Sequence, residues 1–259
     1  MSDIQIPDLI KSASDAAQDN LPDTMKQTDG VLSTVVGFFN NVVLYPVKKA
    51  NLTFKYKLEA FEDDLKEKTK HIPTENLQEP PVMIAGPTLE ALRYTYDEKE
   101  LREMYENLLV SAMDNRVVDK AHPSFVETIK QMSPLDSIVL KEIVKKGQFK
   151  CYNIIFTYEE ETKKVYTYGM PDYFVEELAD LGDAFSVSAS IINLVRLGLI
   201  VVKNGTLRGE NYDSVTSNQI YLSRLRYFNS LGKVVKPEIN KLTIETNNYG
   251  QNFSDVCIK

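Results

Sequence analysis

Tryptophan is missing from this chain, and histidine and cysteine occur twice each in 259 residues. These scarcities exclude whole chemistries. A zinc or transition-metal centre needs several His, Cys or carboxylate ligands at close spacing. His71 and His122 stand far apart, with neither an HExxH pattern nor a cysteine pair beside them. Cys151 and Cys257 form no paired motif, a usage that fits a reducing compartment and no disulfide framework. No glycine-rich phosphate loop of the Walker or GxGxxG kind occurs, nor a GxSxG nucleophile elbow. We therefore expect no catalytic residues, no cofactor and no metal. Excess positive charge is lacking as well. A net charge of -7 and a pI near 5.1 speak against coating nucleic acid or anionic lipid, both of which reward a cationic surface. Met1–Gln5 shows no basic or apolar leader region, so the expectation is a cytoplasmic protein.

What is present is a globular balance, with 43% hydrophobic and 26% charged residues. The length allows two domains, or one domain with a helical extension. Residues 1–30 are polar, broken by Pro7, Pro22 and Gly30, and read as an arm with one short helix over 8–18. The most apolar stretch follows. Val31, Val35, Phe38, Val42 and Tyr45 recur at helical spacing, with Phe39 beside them and polar residues behind. This helix is too short to cross a bilayer. Its wide face suits burial in its own fold or against a second copy, with the membrane surface as the alternative. Pro46 interrupts the pattern, and a second amphipathic helix is predicted over 47–71. Four prolines and a glycine in 73–87 read as a linker between this region (31–72) and a domain over 88–259.

Within that domain, Asp97 and Glu100 predict an N-cap for a helix burying Leu101, Tyr105, Leu108 and Ala112. His122-Pro123-Ser124 opens a short helix, and Ser133-Pro134-Leu135-Asp136 opens another that ends at Lys145-Lys146-Gly147. Aromatic and branched residues over 149–158 and 164–168 predict a hairpin around an acidic turn. A helix over 173–180, a clearer one over 188–197 stopped by Gly198, strands over 199–203 and 241–246, and a last helix over 249–258 complete the reading. Residues 204–240 give no pattern. The fold class is thus mainly α: an N-terminal helical region, then a helical domain ending in a winged-helix-like unit with a small antiparallel sheet.

Charge tests whether that unit reads DNA. Residues 133–259 carry fifteen basic and fifteen acidic side chains, and the helix over 188–197 offers Arg196 alone among mostly apolar neighbours. Phosphate neutralisation and groove readout both require more. DNA is therefore not the expected ligand. Glu161-Thr162-Lys163 has the spacing of a nuclease triplet, yet Pro171-Asp172 follows it where such a motif needs Pro-Asp upstream; a solvated hairpin tip explains it better.

Three segments resemble one known family. They are Glu100–Leu109 with His122-Pro123-Ser124-Phe125 and Ile129–Pro134; Ile192-Asn193-Leu194-Val195-Arg196-Leu197-Gly198; and Tyr249-Gly250-Gln251-Asn252-Phe253 with Cys257. In this order they are similar to the abortive infection alpha family, whose name implies phage defence and for which no catalytic residue carries over. The resemblance implies motif positions at Arg102, His122, Pro123, Ser124, Phe125, Asn193, Arg196 and Gly198, each of which also has a structural explanation. Arg102 and His122 suit bonds to helix ends, Pro123 and Ser124 a helix start, and Gly198 a helix stop. The expected function is non-enzymatic phage defence through a protein partner of host or phage origin, with homo-oligomerisation open. The alternatives are a winged-helix transcriptional regulator and a defence effector on the membrane surface.

Overall fold

The computed structural model describes residues 23–39, 52–160, 163–167 and 169–258. The protein is mainly helical with a four-stranded antiparallel sheet. It divides into two compact units at Gln131/Met132, and the chain from Asp255 onward counts with the first. The boundary expected within 73–87 thus falls instead after Gln131.

The first unit holds α1 (Asp23–Phe39), α2 (Leu52–Thr69), α3 (Val82–Thr95), α4 (Lys99–Ala112) and α5 (Ser124–Lys130). The helix expected to start at Val31 starts at Asp23; the short helix expected over 8–18 lies outside the described residues. Val31, Val35 and Phe39 are buried. Phe39 stacks on Phe61 of α2, with ring centroids 4.1 Å apart. The part of the helix face formed by Val31, Val35 and Phe39 is therefore covered within its own unit, as burial of apolar area demands. The side chain of Phe38, together with Val42 and Tyr45, lies outside the described residues.

The predicted linker is not one. Thr74–Asn76 form a 3-10 turn, and α3 starts at Val82 directly behind Pro81 and carries Pro87 inside it. Leu77 is buried. Gln78 N–H donates to Met113 O at 2.8 Å and Asn115 N–H to Asn76 O at 2.9 Å. Prolines here fix extended backbone between anchored bonds, so proline density alone misreads the segment as loose. The predicted cap of α4 is also displaced by one residue. Glu98 occupies the N-cap, because Asp97 is drawn to Lys57, 2.7 Å away.

The second unit is built on α6 (Pro134–Lys146), β1 (Gln148–Glu160), β2 (Lys163–Thr167), α7 (Ala184–Arg196), β3 (Ile200–Asn204), α8 (Gln219–Ser230) and β4 (Lys236–Thr246), with α9 (Asn248–Cys257) following. The sheet order is β2-β1-β4-β3, every neighbour antiparallel. Residues 173–180 are not the predicted helix. Phe174 exchanges both backbone bonds with Tyr152 of β1, and only a 3-10 turn, Glu176–Leu181, follows.

Strand alternation sends neighbouring side chains to opposite faces. Tyr152, Ile154 and Phe156 point to one face, where they form a core with Met170, Phe174, Tyr212, Val215, Tyr221 and Phe228. Cys151 and its partner Leu242 share the other face with Val202 and its partner Ile244, on the side of α7. Residues 204–240, without sequence pattern, thus supply a covering layer: a 3-10 turn, Asp213–Ser217, and α8. Lys150, Tyr152, Glu176 and Ser214 latch that layer down. Ser214 donates to Glu176 at 2.9 Å, Tyr152 donates to the same carboxylate at 3.3 Å, and Lys150 Nζ lies 3.7 Å from it.

Candidate functional site

The motif positions gather into four clusters, two in each unit. In the first unit, Arg102 of α4 reaches back and donates to Tyr96 O at 3.0 Å, at the end of α3, with its guanidinium over the Tyr96 ring. Its Nε lies 3.4 Å from the wholly buried carboxylate of Glu106, to which Lys68 approaches within 2.9 Å. Burial drives the Glu106 pKa up, and Lys68 opposes the shift most. Burial also pushes the Tyr96 hydroxyl up to about 12, against the pull of Arg102.

His122 and Ser124 meet at the head of α5. Nδ1 accepts from the Ser124 N–H at 3.1 Å and lies 2.7 Å from Ser124 Oγ. A ring nitrogen that takes a backbone N–H is a helix cap. Phe125 behind it is fully buried, and Pro123 holds helical φ ahead of α5.

In the second unit, Ser133 and Asp136 form a reciprocal capping box at α6. Asn193 of α7 donates to the buried Asp136 carboxylate at 2.8 Å, and its own oxygen accepts from Arg196 at 2.7 and 3.0 Å. This chain of bonds ties α7 to the start of α6. Ser133→Ala removes the cap acceptor, so we expect a loss of about 1 kcal/mol in chemical denaturation.

The fourth cluster closes α7. Gly198 has φ 72°, in the left-handed region that ends helices. Its carbonyl accepts from Asn247 Nδ2 at 2.8 Å, and Asn247 Oδ1 accepts the Gly250 N–H at 2.8 Å.

These clusters hold elements in place, and what they present outward is a face of α7. Phe185, Ala189 and Ile192, spaced four and three apart, lie exposed along it. Arg224 stands over the Phe185 ring at 5.5 Å, and Asp183 caps the helix start. Beside Ile192 opens a groove of about 570 Å³ with a floor of Val195, Val202 and Leu242 and a polar edge at Asn153, Asn240 and Asp172. Sequence reasoning missed this groove because its lining comes from five separate segments. It missed Glu106 too, although an arginine four residues before an acid within an apolar stripe was a usable signal.

Among the described residues, no group of three His, Cys, Asp or Glu is placed to hold a metal, and no helix is long and apolar enough to cross a membrane. Both thiols are buried, and burial pushes Cys151 up to about 12.

The chain matches the family described as abortive infection alpha over residues 53–257. Nothing among curated proteins or solved structures matches it. The span covers most of the chain, and the protein belongs to the abortive infection alpha family, which places it broadly in phage defence.

Proposed function

We propose that this member of the abortive infection alpha family acts by contacting another protein, through a winged-helix-like unit, with no chemistry of its own. The order α6-β1-α7-β3-β4, with β4 between β1 and β3, supports the winged-helix-like reading. The hairpin partner β2 and the layer over 204–240 are additions to it. In DNA-reading relatives of this architecture the helix equivalent to α7 enters the major groove and carries polar readers.

The observation that supports a protein partner is the outward face of α7. It presents Phe185, Ala189 and Ile192 where a DNA reader needs donors and cations. Arg196, the one cation of α7, is turned onto Asn193. Apolar side chains at that position gain nothing from a phosphate backbone and gain much from a protein surface that buries them.

The test is a phage-plating assay with host survival, comparing the wild type with a Phe185→Asp/Ile192→Asp variant. Both positions are exposed, so stability should change by no more than about 0.5 kcal/mol per site. Plating protection should disappear at normal expression. Full protection by the variant would remove this reading. Submicromolar, salt-sensitive DNA binding lost in Arg196→Ala would replace it with a transcriptional regulator.

A further inference from the structure

The last carbonyls of any helix lack a partner within it. Two of those that α9 leaves are taken by side chains of α4. Asn107 Nδ2 donates to Cys257 O at 3.0 Å, and Ser111 Oγ donates to Val256 O at 3.3 Å. Asn107 and Ser111 stand one turn apart on the same side of α4, so they meet successive carbonyls. The bonded positions are 150 and 145 apart in the chain, so no local signal announces them. Asp255 and the residues after it belong to the first unit, as α4 does, whereas α9 up to Ser254 is counted with the second.

The Asn107 amide has a fixed orientation. Lys68 Nζ donates to its Oδ1 at 2.9 Å, which leaves Nδ2 for the Cys257 carbonyl. Val256 and Cys257 are buried in this seat. The seat has one flaw. Tyr105 of α4 is wholly buried, and its hydroxyl has no hydrogen-bond partner. Burial raises its pKa most, and Glu127 and Cys257 add to the shift, which puts the orphaned hydroxyl near the last residue of α9. A hydroxyl kept from water without a bond works against the closed state, because water would supply what the protein does not.

We propose that the last turn of α9, Asp255–Cys257, is a clasp that opens and recloses on α4 while both units stay folded. Asn107, Ser111 and the burial of Val256 and Cys257 hold it shut, and the stranded Tyr105 hydroxyl weights the balance toward opening. The closed clasp withholds the α4 donors from any other segment that ends in free carbonyls. Opening bares them. No residue of the outward α7 face takes part, so the clasp goes beyond the partner-contact reading and does not rest on it.

Thiol labelling of the full chain tests this, because its two cysteines fall in different units. Cys257 rides on the clasp, and Cys151 is buried in β1. Iodoacetamide at about pH 8 reaches each thiol when its surroundings open. In the wild type, Cys257 should react about tenfold faster than Cys151 or more. Low urea should leave the Cys257 rate unchanged and raise the Cys151 rate, since only the latter requires exposure of a whole unit. Asn107→Ala should speed Cys257 by about tenfold and leave Cys151 as it was. Tyr105→Phe keeps the ring and removes the orphaned hydroxyl, so it should slow Cys257 by about threefold or more. Equal rates at the two thiols, both rising with urea, would overturn the proposal. So would an unchanged Cys257 rate in Asn107→Ala, or a faster one in Tyr105→Phe. Should Asn107→Ala lose the wild-type circular dichroism, Tyr105→Phe decides alone.

Discussion

Replacing Gly250 with alanine is expected to unfold the second unit, because an added Cβ meets a closer neighbour there than at any other described glycine. A Cβ at position 250 would stand 1.8 Å from Leu199 O, 2.7 Å from its carbonyl carbon and 3.0 Å from its Cα. All three are backbone atoms, so no side-chain rotation relieves the clash. Retreat is blocked on both sides. Leu199 is fully buried, and the Gly198 carbonyl and the Gly250 N–H are both held by the side chain of Asn247. One extra carbon in a packed site costs about 1–3 kcal/mol and occasionally more; a clash between two pinned backbones belongs at the upper end. We expect at least about 3 kcal/mol in urea denaturation, with little soluble protein recovered. Gly198→Ala is the comparison. Gly198 has the left-handed φ of 72° but open space around it, so its cost should be about 1–2 kcal/mol, the ordinary strain of that dihedral. A greater loss at Gly198 than at Gly250 would show that dihedral freedom, not close approach, governs this corner.

That corner was half legible in the sequence. Gly198 after an apolar helical stripe announced a helix stop, and the structure has one. Gly250 carried no such signal, because its requirement comes from Leu199, fifty-one positions earlier in the chain. The same distinction separates the other successes and failures. Ser133, Pro134 and Gly147 bracket α6 as local punctuation, and α6 obeys them. The hairpin of β1 and β2 follows from alternation alone. Asp97 fails as a cap because Lys57, from a different helix, claims it. Residues 204–240 look irregular because they pack on the sheet through scattered aromatics, Tyr212, Tyr221 and Phe228, and not through a repeating stripe. Local chemistry was readable, and residues whose environment is made by distant segments were not.

The candidate surface follows the same rule. The apolar character of the helix over 188–197 argues against DNA from composition alone. Composition alone did not say which of those residues are core. Ile191 and Leu194 are wholly buried while Ile192 is exposed, a division set by which side of α7 faces the sheet. Only the exposed set bears on a partner, and it begins with Phe185, outside the predicted helix.

Lys68→Met is expected to destabilise the first unit in a way that depends on pH, because it strands the carboxylate of Glu106. Glu106 is 1% exposed, whereas Lys68 is 26% exposed and supplies the nearest cation, 2.9 Å away. Removing one partner of a buried pair costs about 3–5 kcal/mol where both are buried; the part exposure of Lys68 lowers the expectation to about 2–3 kcal/mol at neutral pH. The sign of the pH effect follows from the direction of the shift. Burial raises the Glu106 pKa above the usual carboxylate value, against the pull of Lys68 and Arg102. The folded state therefore holds this proton more tightly than the unfolded chain does. The stability due to that proton is fully present below the unfolded carboxylate pKa and is lost as pH rises through the folded one. Without Lys68 the folded pKa climbs further, so the same loss extends to higher pH. Urea denaturation at about pH 5 and about pH 8 should show a gap between variant and wild type that widens at the higher pH. Glu106→Gln should remove the widening, and adding it to Lys68→Met should recover most of the lost stability, because a neutral amide leaves no buried charge unanswered. A gap that stays constant across that range would mean that Lys68 acts through its bond to Asn107, 2.9 Å away, and not through the charge of Glu106.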